Sequence, residues 1–176
     1  MPLLKNNVFV NDEWTKLTDD ALLPEGGKII VTSARLIQDW DVLAKFTGLL
    51  GVALVNNERA EILTPYLSQL SLIALNFPAY TDGRAYSQAK DLRLDGYRSE
   101  LRAEGNLLLD QFQFMHQVGF DSFDVSDRFS LQQWQAASKQ MSLAYQRGLY
   151  RTLGEREVWS QRHQGFAPWE EQPHAG

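Results

Sequence analysis

The first apolar and polar positions of the chain alternate in a way that predicts a small β-hairpin. Val8 and Val10 precede the dipeptide Asn11-Asp12, and Trp14 follows it. Alternation with a period of two is typical of strands, and asparagine and aspartate are common in tight turns. Residues 18–28 are polar and rich in proline and glycine, so they predict a linker after this hairpin.

Five short segments in the middle of the chain, the first of them apolar, predict five further β-strands. Each alternates with a stretch of helical periodicity. Because right-handed crossovers connect strands that alternate with helices, we expect these five strands to be parallel neighbours in one sheet. The predicted strands are Ile29–Thr32, Leu50–Val55, Leu72–Phe77, Ser99–Arg102 and Ser122–Val125.

Apolar residues at three- and four-residue spacing predict a helix after each strand. The clearest is Arg84–Leu94, which ends at Asp95-Gly96. The four others are a helix through Leu36, Trp40, Leu43 and Phe46; one over 58–70, in which Thr64 caps a new turn at Pro65; one that Asn106 caps, running to Val118 and closing at Gly119; and a long last helix, opened by a capping box of Ser130 and Gln133, with Leu131, Trp134, Met141 and Tyr145 facing inward.

These elements predict a single α/β domain over residues 1–176, with its βα core at 29–150. The sheet is either an open five-stranded parallel sheet or a partial barrel, and the short, even βα units favour the barrel. The N-terminal hairpin and linker, 1–28, lie outside it. Residues 151–176 carry three aromatic side chains without periodicity, so this tail either packs on its own domain or forms an arm that grips a partner subunit, as in a homo-oligomer.

The composition excludes several classes of protein. The chain has no cysteine, which rules out disulfides, cysteine-ligated iron–sulfur clusters and a cysteine nucleophile. Its three histidines, His116, His163 and His174, are not at metal-ligand spacing, so we expect no metal site. The net charge of −5 argues against a nucleic-acid partner. No apolar run reaches membrane-spanning length and the N-terminus does not resemble a signal peptide, so we expect a cytoplasmic protein.

The loops that follow the third and fourth predicted strands suggest a pocket for a small oxyanion. Ligands of parallel α/β sheets bind at the carboxyl ends of the strands. Asp82 and Gly83 open a helix, whose free amides favour negative charge, and Ser87 lies one turn further on. Arg84 and Arg102 would add guanidinium groups, which bind two oxygens at once. The alternative is that Asp82 is a helix cap and Arg84 a solvated residue of the first turn.

Carboxylates near these arginines allow two interpretations. Glu104 and Asp110, with Gln111 beside them, could form a general acid–base pair, or they could be ion-pair partners that support Arg84 and Arg102. No catalytic residue is assigned. No GxGxxG follows a strand and no GxxxxGK[ST] occurs, so no motif supports a nucleotide cofactor, and we expect none.

Several short motifs, in order and at fixed spacing, resemble those of domain of unknown function family 934. They are the run from Asp82 to Ala89, the segment Glu100–Ala103 with Gly105, the dipeptide Asp110-Gln111, and Gly119–Phe123. The family is described as oxidoreductases involved in sulfite reduction, through association with assimilatory sulfite reductase genes. The resemblance implies an accessory protein of assimilatory sulfite reduction that acts with the sulfite reductase haemoprotein. It leaves open a small enzyme or binding protein with the oxyanion pocket, and a purely structural subunit.

Overall fold

A computed structural model of the chain describes residues 2–138, 143–144 and 156–157. The main strands are β1 (Leu3–Lys5), β2 (Val8–Val10), β3 (Trp14–Lys16), β4 (Lys28–Thr32), β5 (Leu49–Leu54), β6 (Leu70–Phe77), β7 (Glu100–Gly105) and β8 (Ser122–Asp124). The helices are α1 (Ser33–Gln38), α2 (Trp40–Leu43), α3 (Arg84–Leu94), α4 (Phe112–Val118) and α5 (Leu131–Ala137), with 3-10 helices at Ala60–Tyr66 and Leu109–Gln111. Two further strands, β9 (Leu143–Ala144) and β10 (Arg156–Glu157), pair with each other.

The sheet contains eight strands in the order β2-β1-β8-β7-β6-β5-β4-β3. Strands β4 to β8 are the five predicted ones, and all four pairings among them are parallel. The α/β class and the parallel core are therefore confirmed. A sheet limited to five parallel strands is wrong, because β3 extends it on one side and the antiparallel β1 and β2 extend it on the other.

The N-terminal hairpin exists, but its predicted turn and its predicted place outside the sheet are wrong. The turn is Asn6-Asn7, where both residues have positive φ (51° and 61°) and so give the strand reversal that a two-residue hairpin needs. Asn11-Asp12 instead connects β2 to β3, the strands at the two ends of the sheet order. Because both asparagine-containing pairs are typical of turns, the sequence did not distinguish them.

The sheet curls into a half-barrel. Its two terminal strands, β2 and β3, are separated by residues 11–13 only, so one extended segment joins both edges. Lys16 on β3 also reaches Glu104 on β7, with 2.6 Å between Nζ and Oε2. In a flat sheet these strands would lie about 19 Å apart, since neighbouring strands are spaced by about 4.8 Å. The curl brings together the side chains that line its inside.

The two faces of the sheet have different partners. The outer face packs under the helices and forms the main hydrophobic core, to which each central strand contributes, for example Val52, Ile73 and Leu101. The inner face carries a small apolar cluster of Ile30, Leu72 and Ala74. The rest of this inner face is largely polar, and the site described below lies on it.

The helices follow the sequence where end signals are strong. Helix α3 has the predicted bounds, Gly119 closes α4 with φ of 108°, and Ser130 and Gln133 form the capping box of α5. Other boundaries are wrong. Asp39 divides the first predicted helix into α1 and α2, Pro65 lies inside a 3-10 helix rather than opening a turn, and Leu108, not Asn106, precedes the 3-10 helix before α4.

The last helix is shorter than predicted. It ends at Ala137, and Leu143–Ala144 form a strand where the helix was expected to continue. Met141, Tyr145, Trp159, Phe166 and Trp169 lie outside the described residues. Among the helices that the structure describes, none is long and apolar enough to cross a membrane.

Gly105 at the end of β7 provides a test of the fold. Its φ is 103°, and an added Cβ would lie 2.4 Å from the carbonyl oxygen of Phe77. We expect Gly105→Ala to lower the free energy of unfolding by about 1–3 kcal/mol or more, measured by urea denaturation. The matched control is Gly83→Ala, since φ is −85° there and the nearest atom is 3.9 Å away. Equal stability of the two variants would contradict this backbone path.

Candidate functional site

A group of charged and polar side chains, the inner cluster, lies on the inside of the half-barrel. Alternation along the strands places them there, since their neighbours Leu101, Ala103 and Phe123 belong to the helix-covered core. The members are Lys5, Asp12, Lys16, Glu100, Arg102, Glu104, Ser122 and Asp124.

Arg102 is the centre of the inner cluster. Its side chain is 1% exposed, and its guanidinium group donates to both carboxylate oxygens of Asp12, at 2.8 and 3.1 Å. It also donates to Glu100 at 3.3 Å. A bidentate pair of this kind fixes the arginine in position. Arg102 therefore ties the segment between β2 and β3 to the middle of β7.

Glu100 completes this part of the inner cluster. Its carboxylate accepts hydrogen bonds from Lys5 and from the Ser122 hydroxyl, both at 2.6 Å. Burial by itself would raise the pKa of Glu100, but the hydrogen bonds from Lys5 and Ser122, together with the positive charges of Lys5 and Arg102, outweigh it and lower the pKa below its ordinary value. Glu100 is therefore held as a carboxylate between three donors.

Glu104 and Asp124 lie nearer the carboxyl ends of their strands. Glu104 accepts a hydrogen bond from Lys16 through Oε2, while its buried Oε1 has no partner among the described residues. Burial, and next the negative charge of Glu104, raise the pKa of Asp124 above its usual range. The Asp124 carboxyl group thus lies close to the negative charge of Glu104, and Lys16 lies beside both. Asp124 and Lys16 were not among the sequence candidates, because Asp124 lies within a predicted strand and Lys16 within the N-terminal hairpin region, and only loops that follow strands were searched.

The loop before α3 contains the first part of the predicted anion site. Asp82 accepts hydrogen bonds from the backbone N–H, Nε and Nη2 of Arg84, at 3.1, 3.0 and 2.6 Å, and a further one from the Asn56 amide. The hydrogen bonds from Arg84 hold the pKa of Asp82 well below its usual range. Gly83 is the N-cap residue and has no side chain with which to cap. Asp82 thus caps the helix through the Arg84 N–H, as the alternative interpretation proposed.

A cleft, the α3 cleft, opens between the loop after β5 and helix α3, with a volume of about 350 Å3. Arg84 and Ser87 line it from the helix, and Arg59 lines it from the opposite wall. The carboxylate of Glu58, on the same wall as Arg59, accepts hydrogen bonds from Ser33 Oγ at 2.6 and 2.7 Å and from the Val55 N–H at 3.1 Å.

Of the two remaining candidates, Gln111 supports the same loop from the other side. Gln111 donates to the Tyr80 carbonyl oxygen at 2.7 Å, which connects the chain after β7 to the loop after β6. Asp110 is exposed, and its negative charge adds to burial in raising the pKa of Tyr86 to about 12. Neither residue is hydrogen-bonded to Arg84 or Arg102 in the described part of the chain.

The structure thus places six of the sequence candidates in two environments. Asp82, Gly83 and Arg84 are contiguous, and Arg84 and Ser87 line the α3 cleft, whereas Arg102 and Glu104 belong to the inner cluster. Both candidate arginines have carboxylate partners, as one interpretation expected, although the partners differ from those suggested. Oxyanion binding at the contiguous residues stays a prediction. Sequence reasoning missed Arg59, because the loop after β5 was not among those considered, and Gln88, because its hydrogen bonds to Val55 and Glu58 have no sequence signal.

The described residues contain no group of three or more histidine, aspartate or glutamate side chains with the geometry of a metal site. Comparison with known proteins identifies one family model, described as bacterial protein of unknown function, that matches residues 51–153. This range begins within β5 and includes α3 and the strands β6 to β8. No curated protein matches the chain.

The pairing of Arg102 predicts its effect on stability. We expect Arg102→Ala to lower the free energy of unfolding by about 3–5 kcal/mol, because Asp12 and Glu100 would lose the cation that they share. The matched control is Arg84→Ala, which removes an exposed ion pair and should leave the denaturation midpoint unchanged within error. If Arg102 served only to bind a ligand, its removal would cost little stability, and that result would contradict the structural role.

Proposed function

Because the chain belongs to the DUF934 family of bacterial proteins of unknown function, we propose that it is an accessory protein of assimilatory sulfite reduction that acts with the sulfite reductase haemoprotein. The pathway comes from the family resemblance of the motifs between residues 82 and 123. The proposal assigns the chain a docking role, in which it binds the haemoprotein and supports its function.

The observation that supports docking is the free edge of β2. Within the described residues β2 pairs with β1 alone. Its three residues, Val8, Phe9 and Val10, are all apolar and are 48%, 38% and 37% exposed. Soluble proteins usually protect an apolar edge strand, since its unpaired backbone groups bind other chains. An extended segment of the haemoprotein would add a strand here, and its side chains would cover the valines.

Growth on defined sulfur sources tests the pathway. A deletion strain should fail to grow on sulfate or sulfite and should grow normally on sulfide or cysteine, because only the reduction of sulfite is impaired. A plasmid copy of the gene should restore growth on both oxidised sources. Normal growth of the deletion strain on sulfite would overturn the proposal.

A matched pair of valine variants tests the surface. Val10→Lys places a charge on the β2 edge, whereas Val42→Lys places one on α2, where the valine is 58% exposed. We expect Val10→Lys to abolish co-purification with the haemoprotein and rescue of growth on sulfite, while Val42→Lys retains both. Circular dichroism should show both variants folded. Full binding by Val10→Lys would exclude β2 as the docking edge.

A further inference from the structure

Gln88, which lines the α3 cleft, has a buried side-chain oxygen without a hydrogen-bond partner among the described residues. The residue is 5% exposed and lines the cleft. Its Nε2 donates to the carbonyl oxygens of Val55 and Glu58, at 2.9 and 2.7 Å. Exchanging the amide nitrogen and oxygen would set an acceptor against two acceptors, so the orientation is fixed. Oε1 has no hydrogen-bond partner in the described part of the chain, and a buried acceptor of this kind calls for a donor.

The charges around Gln88 are of both signs. Along α3 the order is Arg84, Gln88 and Asp91, which places a cation and an anion on one helix face about 10 Å apart along the axis. The opposite wall repeats the mixture, with Arg59 followed by Glu61. Within the described residues Arg59, Glu61 and Asp91 are exposed and form no ion pair.

This mixture selects against simple ions. Sulfate would meet the two arginines, but it would also meet Glu61 and Asp91 and would bring no proton for Gln88 Oε1. A simple amine would satisfy Gln88 but would leave the guanidinium group of Arg59 without a partner. A ligand with a carboxylate and an ammonium group matches both ends, because each charged group finds its complement.

We propose that the α3 cleft binds a small zwitterion, of which a free α-amino acid is the simplest. The carboxylate accepts hydrogen bonds from Arg59 and Arg84, and the ammonium group donates to Gln88 Oε1 on the side of Asp91. The volume of about 350 Å3 accommodates a molecule of this size. This binding site does not depend on a role in sulfite reduction, so either proposal can fail without the other.

The resonances of the Gln88 side-chain amide report directly on binding. The full chain, labelled with nitrogen-15, is titrated at constant ionic strength with L-alanine, propionate, ethylamine and sulfate, and then with the other natural amino acids. Propionate and ethylamine are L-alanine without the amino or the carboxylate group. We expect amino acids to shift the Gln88 amide and saturate it, and each half-molecule to bind at least about ten-fold more weakly, the loss that one charge-assisted hydrogen bond causes. Sulfate should leave the amide unshifted.

A matched pair of arginine variants completes the test. Arg59→Gln should weaken amino-acid binding by about ten-fold or more, since it removes one of the two guanidinium groups that bind the ligand's carboxylate. Arg128→Gln, in the exposed loop after β8, should leave the affinity unchanged. Sulfate binding as tight as that of amino acids would overturn the proposal, as would saturation by ethylamine alone, the absence of any shift, or equal affinity in the two variants.

Discussion

The ion pair between Arg102 and Asp12 is the interaction on which the half-barrel depends. A guanidinium group cannot lose its proton to escape burial, so Arg102 requires a carboxylate wherever the sheet encloses it. Asp12 supplies that carboxylate from the connection between β2 and β3. The same contact therefore satisfies a buried charge and holds the segment that joins the two edges. Lys16 and Glu104 repeat the arrangement nearer the strand ends.

The two faces of the sheet have separate tasks. The outer face supplies the hydrophobic free energy through its helices, and α3 on that side forms one wall of a cleft with exposed charges. The inner face gains little from apolar burial and is organised by hydrogen bonds around Glu100 and Arg102. The α3 cleft is held by Gln88, Glu58 and Asn56, none of which contacts the inner cluster through a described hydrogen bond. The hydrogen bonds of Gln88 and Asn56 thus hold the two walls of the cleft together independently of the inner cluster.

Sequence reasoning succeeded where a local signal was sufficient. The bounds of α3 follow from its apolar spacing and from Gly96, and strands β4 to β6 follow from their apolar runs. It failed where the partner is distant. Arg102 is a charged residue, and its burial depends on Asp12, which lies ninety residues earlier in the chain. No local pattern around Arg102 indicates that partner. Likewise, the free Oε1 of Gln88 depends on two carbonyl groups, of Val55 and Glu58, that no motif records.

The pairing of β1 with β8 has a consequence for synthesis on the ribosome. Lys5 leaves the exit tunnel first, but its partner Ser122 follows only after the whole central sheet. At about 5–20 residues per second this interval lasts roughly 6–23 seconds. During that time the hairpin carries the apolar residues Val8, Phe9 and Val10 without a sheet to join. The hairpin is thus synthesised well before the strand that it joins, and the nascent chain carries an apolar strand outside any sheet until β8 emerges.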